Sequence, residues 1–456
     1  MATSATSATS ATSRPGSCAT RTLVGAIAAG LCSAAFGSGF TVQSQSAAAI
    51  ANGHGGVARA DDASVALLNP ALATRFDTPQ TSLALGGIAL TADFDNRQSL
   101  SAVGTPALGP ASSSADGAAP LLSVFHTRPL TERSAFTVAL YTPFGLSTDY
   151  DPDWVGRYQV QTAQLKTLAV SPALAFELGE RWSASVGLTA VRGQTKLISA
   201  VDFGTVCFAA IGPAACVPAN ILPQGRDGTA RIDAEGNGFG WTASLAWQAS
   251  EHLRFGAHLR SKIDLDVDGE TSFRNPVLPG PFAALTQTPA TSNGGVESTL
   301  VLPEIASVGL AYDLGDSTQL VADVTWTRWS RLQDIRLRFD NGAADSVIPF
   351  AWQNTRKFGL GLNHRSSARW QWKGGVEWES SAVSDANRNA IVPDSDRVFV
   401  GGGVRYSFND ARSLDVALGM IRFARSTIDR DIVGAGRLRG DYALDSLHLG
   451  VQYNWH

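Results

Sequence analysis

The chain is predicted to be all-β: a fourteen-stranded antiparallel transmembrane β-barrel with a short N-terminal plug in its lumen. Three observations predict it. From about residue 80 onward apolar residues recur at every second position, which sends successive side chains to opposite faces of a strand. Leu414, Val416, Leu418 and Met420 share one face, and Ser413, Asp415, Ala417 and Gly419 the other; Leu447, Leu449, Val451, Tyr453 and Trp455 likewise oppose His448, Gly450, Gln452 and Asn454. The polar faces hold Gly, Ser, Thr and Asn with rare charges, where a soluble sandwich would present Lys and Glu to water. Second, the 456 residues include 45 Gly, 20 Phe and 11 Trp but only 17% charged residues, and mean hydropathy is +0.00. That average is expected when lipid-facing apolar residues alternate with polar lumen residues. Third, the chain opens with an export signal and afterwards has no apolar run of about 18 residues able to cross a membrane as a helix.

The elements follow in order. Residues 2–13 are ATS repeats, uncharged and low in complexity, and carry no fold information. Arg14 and Arg21 precede the apolar run Leu23 to Leu31, and Ser33, Ala34, Ala35 and Gly37 offer a cleavage point, so residues 1–37 read as a signal peptide. Cys32 follows the bulky Leu31, which argues against lipidation. Residues 38–78 are too rich in Gly and Ala for a core and precede the strands, and residues 79–456 form the barrel. Its strands are expected near 80–95, 119–129, 133–148, 155–177, 181–200, 232–250, 252–272, 295–314, 316–334, 350–365, 368–384, 394–408, 411–428 and 438–455. The even count suits a single-chain barrel with both termini on one side. Trp154, Trp182, Trp241, Trp326, Trp329, Trp372 and Trp455 near strand ends fit interfacial girdles. Two long connections, 200–231 and 273–294, hold Phe, Leu, Ile and Pro where exposed loops are usually polar. With Cys18 and Cys32 lost with the signal, Cys207 and Cys216 remain around a Gly212-Pro213 turn. In an oxidising compartment a disulfide is expected, with free thiols the alternative; a zinc site would need two more ligands nearby.

Between residues 38 and 78 the order Gly53, Gly55, Gly56, Ala58, Asp61, Asp62, Ala63, Ser64 and then Asn69-Pro70-Ala71 resembles the N-terminal hatch of the FadL family of outer-membrane long-chain fatty acid and hydrocarbon channels. The likeness spans nearly the whole chain after the signal. Thr142-Pro143-Phe144-Gly145 resembles the family's third strand, and proline with glycine inside a strand breaks its ladder. Trp154, Gly156, Arg157 and Tyr158 follow as the family's next strand begins. Leu302-Pro303-Glu304 opens a strand, residues 326–329 read WTRW, and Pro393-Asp394-Ser395-Asp396-Arg397 matches the family's PDxDR. The chain ends in alternating Val451, Tyr453, Trp455, one residue short of the terminal aromatic because His456 follows.

The resemblance implies a hatch in which Asp61 and Asp62 accept hydrogen bonds from lumen arginines, with Asn69, Pro70 and Ala71 close to the kink. It implies a lateral exit bordered by Pro143, Phe144 and Gly145, a ligand pocket near Phe40, and an acid, Glu379, at the ligand chamber. The apolar loops, through Phe208, Phe282 and Leu285, would capture ligand. One departure matters: where family members associate basic residues with a carboxylate head group, this chain has Ser199 and an apolar residue near Ile348. A carboxylate clamp is therefore not carried over, and Arg405 is expected to serve structure by pairing with a hatch aspartate.

Passive outer-membrane uptake of hydrophobic small molecules by a monomer among outer-membrane lipid and lipopolysaccharide is the function this implies. A structural or adhesive barrel that binds partners through its long loops is the competing reading. A net charge of -4 argues against nucleic acid, no cofactor is expected, the histidines lack metal spacing, and no GxSxG elbow occurs.

Overall fold

The structure, a computed structural model, describes residues 39–456; the expected signal peptide with Cys18 and Cys32 lies outside the described residues. Fourteen antiparallel strands form the wall. They are β1 (Gln80–Asn96), β2 (Ser112–Ser114 and Gly117–Thr131), β3 (Ser134–Tyr141 and Gly145–Asp149), β4 (Thr162–Glu177), β5 (Trp182–Asp202), β6 (Asp227–Gln248) and β7 (Leu253–Arg260 and Ile263–Arg274). The circuit continues with β8 (Gly294–Leu302 and Ile305–Leu314), β9 (Thr318–Thr327 and Asp334–Phe339), β10 (Ser346–Pro349 and Thr355–Arg365), β11 (Trp370–Glu379), β12 (Arg397–Asn409), β13 (Arg412–Phe423 and Ser426–Ile432) and β14 (Gly436–Trp455). Each pairs with its neighbour in sequence, and β14 closes on β1 from Thr81↔Trp455 to Asn96↔Gly440. Short turns such as Gly315 at φ 69° mark one end, the periplasmic one by the usual asymmetry of such barrels.

Alternation sorts the side chains as expected. Val400, Leu418, Met420 and Leu449 are about half exposed on the outer wall, while Phe399, Ala417, Ile421 and His448 are buried inside. Trp182, Trp241, Trp326, Trp372 and Trp455 are exposed, but Trp154 and Trp329 are wholly buried and belong to no girdle. Trp154 stacks on Tyr150 at 4.0 Å and donates to the Val160 carbonyl. Trp329 begins a turn of 3-10 helix that leaves the wall for the lumen. The Leu302-Pro303-Glu304 stretch opens the lower half of β8 rather than the whole strand, because Pro303 lacks the ladder donor.

Residues 39–78 run inside the barrel. Helix α1 (Ala47–Ala51) is capped by the Ser46 hydroxyl, which accepts from Ala49 N, and all five residues are buried. Helix α2 (Val65–Leu68) and a 3-10 helix at Pro70–Arg75 follow. Close approach of this backbone explains the glycine-rich inner wall: a β-carbon at Gly401 would collide with the Ile50 carbonyl, and one at Gly375 with the Asn52–Gly53 backbone. The inner faces also carry far more charge than the sequence suggested, in paired form.

Candidate functional site

The wall is interrupted where Thr142-Pro143-Phe144 separates the two halves of β3. Below the break β3 pairs with β2 up to Val124↔Leu140; above it, Gly145–Asp149 pairs with β4 alone, and residues 117–123 of β2 pair only with β1. The start of the inner segment fills this breach. Thr41 bridges Phe144, Val42 N donates to the Pro143 carbonyl at 3.0 Å, and Gly145 N donates to the Phe40 carbonyl at 2.9 Å. Gln45 stitches the two sides together: its amide donates to the Thr142 carbonyl at 2.5 Å, and its oxygen accepts from Ser123 Oγ of β2 at 2.9 Å and from Thr142 N at 3.3 Å. One side-chain amide thus stands in for ladder hydrogen bonds that β2 and β3 do not make. The sequence gives little sign of this, since Gln45 lies in a polar SQS run with no spacing to mark it.

Phe40 sits at the inner end of this contact. Its ring lies 6.0 Å from Phe144, 4.7 Å from Trp329 and 5.5 Å from Trp352. It forms part of the lining of a chamber of about 110 Å³ walled mainly by apolar side chains, among them Leu146, Leu165, Leu300, Ile335 and Phe350. A second hollow of about 370 Å³ lies next to it and shares Leu197, Ile232, Leu337, Ile348 and Ile391. Ser199 and Ile348 both line this outer hollow, so the positions expected to lack a carboxylate clamp face the cavities.

The inner segment is held by buried ion pairs. Asp62 pairs with Arg405 at 2.7 Å, Arg405 with Asp415 at 2.9 Å, Lys373 with Asp415 at 3.0 Å, and Asp61 with Arg59 at 2.9 Å. Burial alone would raise the Asp62 carboxyl, but the guanidinium groups of Arg405 and Arg59 outweigh it and hold the acid below the ordinary carboxylate range. Asp323 accepts from Gly56 N and Val57 N. Glu379, expected at the ligand chamber, is buried between Gln43, which donates at 3.0 Å, and Arg397 at 3.0 Å; it ties the segment to the wall. Ser44 Oγ, His54 and Glu377 line up at 2.8 and 3.0 Å in the order of a nucleophile, base and acid. Ser44 is 3% exposed and shares its hydroxyl with His448 Nδ1 at 2.6 Å, so this chain also serves docking.

Other expected site residues fall elsewhere. Asn69-Pro70-Ala71 does not reach the kink at Phe144 and Gly145: Asn69 donates to the carbonyls of Val57 and of Leu245 in β6, and Ala71 packs with Ala135, Ala175 and Ala246. The Asn69 oxygen accepts from Ala71 N, which starts the 3-10 helix there, and small alanines let that helix lie against the strands near the short turns. The opposite end of the segment, at Phe40, meets the kink instead. Cys207 and Cys216 are joined in a disulfide with Cα atoms 6.2 Å apart. Leu285 is buried and Phe208 and Phe282 are half-buried around it, packed with Phe203, Ile221 and Leu278, so the two loops meet through these side chains.

A model of the outer membrane protein transport protein family (OMPP1/FadL/TodX) matches residues 27–456. The long-chain fatty acid transport protein of Salmonella typhi is 25% identical over 398 residues, 84% of this chain and 87% of that one. A FadL homologue of Pseudomonas aeruginosa superposes with a TM-score of 0.82 at 20% identity, covering 91% of this chain and 99% of that one. The toluene transporter TbuX of Ralstonia pickettii superposes at 0.64 with 18% identity, covering 91% and 99%. With the match extending through the inner segment and every strand of the wall, the chain belongs to the OMPP1/FadL/TodX family and is an outer-membrane transporter of hydrophobic substrates, not an enzyme.

Proposed function

We propose that this protein takes up hydrophobic small molecules passively and releases them sideways into the membrane through the breach between β2 and β3. Ligand enters the outer hollow, moves into the chamber at Phe40, and leaves when residues 40–45 withdraw from β3. The observation that carries this reading is the Gln45 bridge between Ser123 and Thr142, beside an apolar chamber that ends on Phe40. In this reading residues 38–78 act as a hatch whose buried ion pairs keep it seated while its first residues move. A chamber of about 110 Å³, smaller than the apolar cavity of about 150 Å³ that holds benzene, has room for at most a single ring and not for a folded chain.

The bridge at Thr41 and Phe144 supplies a test, because cross-strand partners lie at a Cα separation that a disulfide can span. In cells carrying Thr41→Cys with Phe144→Cys, oxidation should abolish toluene uptake and reduction should restore it. Uptake that ignores the redox state of a fully formed cross-link would sink lateral release.

A further inference from the structure

The chamber at Phe40 contains one polar group that the fold does not satisfy. Ser298 of β8 lines it, is 8% exposed, and its Oγ has no hydrogen-bond partner among the described residues. Its surroundings are apolar: Val267 stands directly opposite on β7, and Val296 and Leu300 flank it on the same face. The other hydroxyl of the lining, on Thr195, already donates to the Ala234 carbonyl. The two charged lining residues, Lys196 and Glu297, lie at alternation positions opposite to Leu197 and Ser298, so the strand directs their side chains outward.

β8 and β9 pair from Ile305↔Thr327 downward and again only at Val296↔Phe339 and Glu297↔Arg338, so Ser298 sits where the wall lacks a ladder on that side. Thr271 repeats the pattern one step outward: it lines the outer hollow, is 3% exposed, and its Oγ1 is also unpartnered. A buried hydroxyl without a partner is costly in an otherwise apolar site. A ligand that hydrogen-bonds to it gains what a pure hydrocarbon cannot.

We infer that Ser298 is a specificity residue which selects, among hydrophobic ligands of the chamber, those bearing an uncharged hydrogen-bonding group such as a hydroxyl or carbonyl. The inference rests on the reading of the chamber as the ligand site. Among the described residues no cation points into the lining to stabilise a carboxylate, so the neutral group is the one the site favours. Thr271 offers the same contact during passage from the outer hollow.

The experiment compares near-isosteric ligands on the purified full chain in detergent: p-cresol, p-xylene and p-toluate, with affinities corrected for partition into micelles. Quenching of Trp329 and Trp352, which pack on Phe40, reports occupancy. Wild type should bind p-cresol about tenfold more tightly than p-xylene, the range one net hydrogen bond supplies, and p-toluate most weakly. Ser298→Ala should lose the preference, p-cresol binding no more tightly than p-xylene; Ser298→Thr should keep it. Equal affinities in wild type, a preference that survives in Ser298→Ala, or tightest binding of p-toluate would overturn the inference while leaving the chamber as the ligand site. Binding of none of the three would overturn the chamber reading itself, and this inference with it.

Discussion

Asp62 and Arg405 lie 2.7 Å apart with both side chains buried, and removal of one partner leaves the other charge uncompensated. Asp62→Asn should weaken docking of the inner segment by about 3 kcal/mol, the order seen when a buried pair is broken, and raise ion conductance of the protein in planar bilayers at pH 7. The pH dependence has a definite sign. The Asp62 carboxyl is held below its ordinary value by Arg405 and Arg59, so its contribution is complete above the unfolded value near pH ~4 and is lost only as pH falls through the lower folded value. Wild type should therefore stay closed at pH 5 and begin to conduct well below pH 4. Conductance that rises between pH 7 and 5 would assign the latch to another group. The paired aspartates were legible in the sequence, and so was Arg405 as the partner of Asp62; the Asp61 carboxylate, expected on a lumen arginine, pairs instead with Arg59 of its own segment. Lys373 and Asp415 were not, because alternation tells which face a residue takes but not which strand stands opposite.

At the scale of elements, the fourteen strands were legible because two-residue periodicity persists wherever one face meets lipid. The breaks were less so. Thr142-Pro143-Phe144 announced itself through proline, whereas Ser261-Lys262 in β7 and Arg328–Gln333 in β9 interrupt strands that keep their alternation on both sides. Residues 380–384, expected as strand, instead turn inward: Ser381, Ala382 and Val383 are buried, and the Asp394 carboxylate accepts from Ser381 Oγ and Ala382 N. Such contacts between distant elements leave no periodic trace. The breach beside β3 makes its own prediction. Gln45→Ala removes the hydrogen bonds to Ser123 and Thr142 without touching the ion pairs, so uptake of toluene should rise several-fold while ion conductance stays at the wild-type level, each lost bond being worth about 1 kcal/mol. A parallel rise in conductance would mean that the whole segment has loosened, not its first residues.

At the scale of the molecule, the strand ladder of the wall does not depend on the inner segment. The barrel closes through β1 and β14 alone, and the described strands draw their ladders from one another. The inner segment adds a single β-type pairing to that ladder, at Thr41, and is otherwise held by side-chain and loop hydrogen bonds such as those of Gln45. It does, however, pair Asp62 with Arg405 and hydrogen-bond Asp323, Glu377 and Lys357 on the inner faces. Deletion of residues 39–78 should accordingly leave a barrel that still shifts in mobility when heated in SDS, yet exposes a charged lumen to water. The expected outcome is a large, steady single-channel conductance in planar bilayers, against near silence for wild type, together with loss of saturable toluene uptake. The two readouts must move together: water filling the lumen dissolves the apolar chamber at Phe40, since Phe40 itself is gone and the wall residues that surrounded it become wet. If the deleted protein folds but neither conducts nor loses uptake, the inner segment is not what closes the lumen, and the path for hydrophobic ligands must run entirely within the wall.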